Sequence, residues 1–270
     1  MSDLECQVCN VNHCAFGFIQ YVTTNQKRQG GRCKALSGRI KRRMTAQLSE
    51  TVFEAVRHAI ITWQFPPGHE LSEQALADRF GLGKAPVRSA LARLRQEGWV
   101  ISTARRGHRV AALTKADVAD VFAFRELLEP EAMRLAAGRV NEARLLGHLE
   151  RCAAAYDLAD SEAKEKFLIA HRDFHIDIAF SSGSIRLGNA LEKLHNEFLR
   201  ILYPTVSVKE RSSEWMQGHL KIVTALVHGD GMAAASLSQA GIRRSRAATL
   251  QAFEEAIVIT TNVQSVFHIS

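Results

Sequence analysis

The chain has 270 residues, 46% of them hydrophobic, five cysteines and a formal net charge of +7. That length and composition fit two globular domains with real cores. No apolar run approaches the ~20 residues of a membrane helix, no signal-peptide core precedes Met44, and the cysteines, four of them before residue 34, do not form a disulfide framework. A reducing cytoplasm is the expected compartment. The charge is uneven: residues 1–43 hold eight Lys/Arg and two Asp/Glu (+6), residues 44–112 nine and six (+3), residues 113–270 eighteen and twenty (−2). A basic front and an acidic back point to a nucleic-acid partner for the front and a different task for the back.

Residues 1–43 show no sustained period and read as a disordered basic tail, with "NQKRQGGRCKALSGRIKRR" its densest part. Cys6, Cys9, His13 and Cys14 could hold zinc, but their spacing fits no standard finger. Met44 stands just before the first strong helix, so a start-site artefact upstream of it is an alternative.

From Leu48 the pattern sharpens. Leu48, Val52, Val56, Ala59, Ile60 and Trp63 recur at helical spacing, and "FPPG" (65–68) stops the helix. Ser72 is placed to cap the next helix, Leu71 and Leu76 to staple it, and Gly81 to end it. A third helix follows in "GKAPVRSALARLRQEG", with Pro86 in its first turn, Val87, Leu91 and Leu94 inward, and Lys84, Arg88 and Arg95 outward. "WVISTARRGHRVAAL" then reads as a hairpin whose turn is "ARRG". Three short helices and a basic-tipped hairpin make a winged helix-turn-helix over residues 44–112. A helix that enters the major groove needs donors and short side chains in its first turn. A hairpin tipped with arginines can reach the adjacent backbone.

Residues 113–270 carry almost no strand signal. Helical patterns recur over 115–140 (with a bend at Pro130), 141–160, 162–181, 185–203, 212–228 and 230–256, separated by "SSGS" and "HGD". The expected fold is therefore mainly α: a winged helix-turn-helix followed by an all-α antiparallel bundle over 113–258 and a tail over 259–270. The stretch "HRDFH" (171–175) puts two histidines one turn apart on a single helix face, a pattern open to a metal site, an acid–base centre or the polar face of an ordinary helix. Asp173 and Asp177 share another face and read as solvent-exposed. Arg125 and Glu129, also one turn apart, read as an intrahelical pair.

The stretch "AIITWQFPPGHELSEQALADRFGLGKAPVRSALARLRQEGWVISTARRGHRV" resembles the GntR family of bacterial transcription regulators, with Trp63 in place of a Gly, Gly83-Lys84 in place of Ser-Arg, and Ser89 in place of Glu. "RELLEPEAMRLAA", "DFHIDIAFSSGS" and "HLKIVTALVHGD" resemble landmarks of the FCD effector domain of its FadR-type branch. The resemblance implies DNA contacts from Lys84, Arg88 and the wing residues Arg106 and Gly107, with Gln74 a further candidate. Arg105 joins them from the residues alone. The resemblance also implies a divalent-metal site. Its ligand positions fall on His171 (where the family has Asp or Asn), His175, His219 and Gly241, so three imidazoles remain, able to hold Zn²⁺ or Ni²⁺ beside a ligand carboxylate. The function expected is a cytoplasmic bacterial regulator, a homodimer on palindromic double-stranded DNA, modulated by a small organic acid and carrying no membrane segment. The competing readings are a metal-dependent enzyme in the helical part and an effector-independent DNA-binding protein. No nucleophile elbow, P-loop or dinucleotide fingerprint supports an enzyme.

Overall fold

The computed structural model describes residues 38–103, 107–154, 161–206 and 212–267, with side chains from residue 45 to 255 except 212–214. The chain forms two compact units, residues 1–60 with 64–112 and residues 61–63 with 113–270. The cysteine cluster weighed as a zinc site (Cys6, Cys9, His13, Cys14), and Arg105 and Arg106, read from the sequence as part of a turn, lie outside the described residues.

In the first unit, α1 (Gly38–Ile61) buries Val52, Phe53, Val56, Ala59 and Ile60. It starts six residues before Met44, so residues 38–43, expected in the tail, are helical; the basic run there is compatible with a helix, since Lys and Arg are good helix formers. Strand β1 (Glu70–Leu71) pairs with β3 (Gly107–Val110), and β3 with β2 (Val100–Thr103), in the order β1-β3-β2. The hairpin is where the sequence pattern put it. The third strand, β1, is too short to leave a period-2 signal. Between β1 and the hairpin run α2 (Glu73–Phe80) and α3 (Lys84–Gln96). The Ala75 N–H donates to Ser72 Oγ at the α2 cap, and Gly81, at φ 62°, ends that helix. Leu71 and Leu76 are both buried, as a staple requires. Helix α3 buries Pro86, Val87, Ala90, Leu91 and Leu94.

The second unit is all-helical among the described residues: α4 (Lys115–Ala136), α5 (Glu142–Ala154), α6 (Ser161–Ser181), α7 (Ile185–Thr205), α8 (Ser212–Val227) and α9 (Gly231–Phe267). Thr114 and Asp117 close a capping box on α4, and Ser184 caps α7. Pro130 sits within α4 without ending it. Helix α9 continues nine residues past 258, where a tail was expected to begin, because "AIVITTNVQSVF" holds no glycine or proline to stop it. Helices α4 and α9 pack extensively, as do α6 with α5 and α7. One core cluster centres on Met133, Leu149, Phe174, Ile178 and Leu226, another on Phe122, Phe198, Leu202 and Phe253.

Candidate functional site

Two sets of residues carry chemistry, one in each unit. In the first unit, Lys84 opens α3 and is exposed; Arg88 follows one turn later with its side chain 68% exposed. The N-cap Gly83 offers no side-chain acceptor, which leaves the first-turn N–H groups open to an anion. Arg88 is held in place: its Nε donates to both Glu73 carboxylate oxygens at 3.2 Å and its Nη2 to Oε2 at 3.0 Å. The same hydrogen bonds lower the Glu73 pKa. Gln74 is exposed but donates from Nε2 to Asp78 Oδ1 at 2.8 Å. Arg95, also outward, donates to Ser102 Oγ on β2. Gly107 opens β3 at φ 89°, and a Cβ there would stand 3.0 Å from the Leu71 carbonyl, so the start of the strand requires glycine.

In the second unit the two histidines of HRDFH do face inward. His171 and His175 are buried, their Nε2 atoms 3.2 Å apart. His219 of α8 joins them, its ring centroid 5.6 Å from His171 and 5.5 Å from His175, and the three donor atoms lie within 4.8 Å of one another. The His219 Nδ1 lies 2.7 Å from the Trp215 carbonyl and can only donate to it. That fixes the tautomer and leaves the Nε2 lone pair free. Trp215 covers the group, its ring 3.9 Å from His219 and 5.2 Å from His171.

Burial, reinforced by the neighbouring histidines, holds His171 well below the ordinary histidine value; burial likewise lowers His219 to about 3. Both are neutral at physiological pH, the form that binds a metal. The donor set suits the group: Zn–N bonds of about 2.0–2.1 Å give tetrahedral nitrogens about 3.3 Å apart, close to the 3.2 Å between His171 and His175. The fourth position the resemblance implies has no ligand, since Gly241 carries no side chain, but a Cβ there meets nothing within 4 Å.

Glu129 and His195, which the sequence pattern does not place in the pocket, extend it. Arg125 and Glu129 are the expected intrahelical pair, with Nε 2.5 Å from Oε1, yet both are buried and Glu129 also faces the histidines. Its Oε2 lies 3.2 Å from His175 Nδ1 and its Oε1 3.2 Å from His195 Nε2. Burial raises the Glu129 pKa, but Arg125, then His195 and His175, outweigh it and hold the carboxyl well below its usual range. His195 was legible in hindsight: Leu191, Leu194, His195, Phe198 and Leu202 form one apolar helix face. Burial lowers it to about 4.

The expectation that Asp173 and Asp177 are solvent-exposed needs correcting. Asp177 is 17% exposed, its Oδ2 2.5 Å from both Arg144 Nε and His148 Nε2, because α5 packs on that face of α6. Asp173 is partly buried and pairs with Arg172.

Residues 48–110 match the profile of the gntR family of bacterial regulatory proteins, and residues 120–244 that of the FCD domain. The HTH-type transcriptional repressor GlaR of Escherichia coli (strain K12) is 30% identical over 148 residues, 52% of this chain and 65% of that protein. The putative HTH-type transcriptional regulator RmpR of Mycobacterium gastri is 29% identical over 219 residues, 73% of this chain and 78% of that protein. The aligned part thus spans just under two thirds of GlaR's length. A putative transcriptional regulator GntR from Rhodococcus sp. RHA1 superposes with a TM-score of 0.64 at 23% identity, covering 75% of this chain and 97% of that one. E. coli McbR/YncC does so with a TM-score of 0.65 at 21% identity, covering 76% and 97%. At such identities these two structures speak for the fold alone. The named relatives are regulators rather than enzymes, and no described helix is long and apolar enough to cross a membrane. With both profiles matched in the order that the sequence and the two units show, the chain belongs to the gntR family of bacterial regulatory proteins, in the branch that carries an FCD domain.

Proposed function

We propose that the protein is a cytoplasmic DNA-binding transcription regulator whose operator affinity is set by a small organic acid bound in the histidine pocket. The observation that carries the DNA reading is the exposed pair Lys84 and Arg88 at the head of α3, with Arg88 oriented by Glu73. An arginine so placed can grip a guanine through two hydrogen bonds, whereas Lys84 supplies a point charge to a phosphate or base. Arg105, Arg106 and Gly107 extend the contact from the wing, and Gln74 from α2 once it releases Asp78. One such unit reads few base pairs, so two copies on a palindromic site are expected.

His171, His175 and His219 would hold a divalent ion, Zn²⁺ or Ni²⁺. Such an ion, when bound to three imidazoles, offers open positions to the carboxylate of an effector. The protein's own contribution is a water-poor wall of Phe174 and Trp215 and tautomers set in advance, His219 by the Trp215 carbonyl. Selection of bound sequences from a random DNA pool with the full chain tests the DNA reading: a two-fold symmetric site is expected, and no sequence preference overturns it. Thermal-shift screening of organic acids, with and without Zn²⁺ or Ni²⁺, tests the pocket, because a ligand of the native state raises the melting temperature. An acid that shifts melting and weakens operator binding together is the expected result; no acid doing both counts against the effector reading.

A further inference from the structure

We propose that Glu129, His175 and His195 form a second seat for a divalent ion, exclusive of the first because both seats use His175. Their donor atoms also lie within 4.8 Å of one another, and all three residues are buried. Each imidazole nitrogen lies near one oxygen of the carboxylate, His175 Nδ1 3.2 Å from Oε2 and His195 Nε2 3.2 Å from Oε1, close to the about 3.3 Å between ligands around an ion at about 2.0–2.1 Å. Both nitrogens are buried without a well-formed hydrogen bond, although each lies 3.2 Å from a carboxylate oxygen. Orphaned polar atoms of this kind call for something between them.

The chemistry favours a cation. Two imidazole nitrogens and a carboxylate are a zinc-type donor set. This seat also contains an anionic oxygen, which the three-imidazole seat lacks, so it offsets part of the cost of placing a dication in a buried site. The opposing charge is Arg125, whose guanidinium engages Glu129 mainly through Nε at Oε1 and reaches Oε2 only at 3.4 Å from Nη2. Oε2, which faces His175 Nδ1, is therefore the less engaged oxygen. His219 and His171 are neutral neighbours on the far side of His175.

Exclusivity follows from the imidazole itself. An ion on His175 Nδ1 leaves the ring proton on Nε2, which then points at His171 Nε2 3.2 Å away and closes the first seat. The two seats tie different helices: the first joins α6 to α8, the second joins α6 to α4 and α7. The second seat does not depend on the first, because it uses neither His171 nor His219.

Titration of the chelator-stripped full chain with Co²⁺ and Zn²⁺ tests it, read by the Co²⁺ visible spectrum and by competition with a chromophoric chelator. One ion per chain is expected in the wild type. His219→Gln and His195→Gln should each keep one ion per chain, with different Co²⁺ spectra. The double variant and His175→Gln should bind none. If His219→Gln abolishes binding while His195→Gln and Glu129→Gln bind as the wild type does, the second seat does not exist and the pocket reading above survives. If only His195→Gln and Glu129→Gln lose the ion, the second seat stands and the first falls. Two ions per chain overturns exclusivity, and none in any form overturns both seats. Circular dichroism melting verifies each variant's fold; should Glu129→Gln fail to fold for want of Arg125's partner, His195→Gln carries the same test.

Discussion

Glu73, in the first turn of α2, accepts three hydrogen bonds from Arg88 of α3, the longest 3.2 Å. A residue expected to read DNA is thus already paired with a carboxylate within the protein. Exposed pairs of this kind contribute little stability, so the tether's effect is on orientation and local charge.

Glu73→Gln should therefore leave the melting temperature nearly unchanged but raise affinity for unrelated DNA, because one negative charge beside α3 is gone. Arg88→Ala should cost about 1–3 kcal/mol at its contacted base pair and relax specificity there. Lys84→Ala should weaken binding to all sequences and lower the salt slope by roughly 1. Footprints and salt titrations separate these outcomes; unchanged footprints for both Lys84→Ala and Arg88→Ala would remove α3 as the reading helix.

The buried histidines make the second unit acid-sensitive well above the range where most carboxylates titrate. His171, His195 and His219 have folded pKa values below the unfolded value of 6.5, with His195 at about 4 and His219 at about 3. Below pH 6.5 the unfolded chain takes up protons that the folded chain refuses, so stability is full above that pH and falls as the pH drops toward 4. Each tenfold difference in proton affinity between the folded and unfolded chain is worth about 1.4 kcal/mol, so the total loss is on the order of several kcal/mol. Urea unfolding of the metal-free chain between pH 7.5 and 5 should show a steadily falling midpoint, and a flat profile contradicts the neutral-histidine assignment.

Trp63 is the only described non-glycine residue at positive φ, 57°, the position where the family resemblance implies glycine. Its ring packs on the cluster of Phe122, Phe198 and Phe253, and its Nε1 donates to the Arg200 carbonyl at 3.0 Å. Trp63→Gly loses the ring but relieves the backbone; Trp63→Ala loses the ring and keeps the strain. Stability should fall in the order wild type, Gly, Ala, with the two variants separated by roughly 1 kcal/mol. A Gly variant as stable as the wild type would mean the anchoring does not outweigh the strain.

Gly241 occupies the helix position where the resemblance implies a fourth metal ligand, and a Cβ there meets nothing within 4 Å. Gly241→His should cost no stability, since glycine is a poor helix residue by about 1 kcal/mol. It should tighten Zn²⁺ by about tenfold or more, given that even outer-shell partners are worth about 10–100-fold. Equal affinities, measured by chelator competition, would place residue 241 away from the ion.

Local chemistry determined most of the first unit. Ser72, Gly81 and the Leu71–Leu76 staple mark helix ends with signals that act within four or five residues, so they are legible in one dimension. The i, i+4 spacing of His171 and His175 was equally local. Strand β1, by contrast, exists because β3 supplies its hydrogen bonds, a partner more than thirty residues away. Asp177 looked solvent-exposed until α5 brought Arg144 and His148 against it. Glu129 and His195 lie sixty-six residues apart, and nothing on either helix by itself pairs the two. Only the packing of α4, α6 and α7 brings a carboxylate within 3.2 Å of His175 Nδ1 and stacks the His195 ring on that of His175, because contacts between helices depend on which faces meet, and that is set by the whole bundle rather than by any segment.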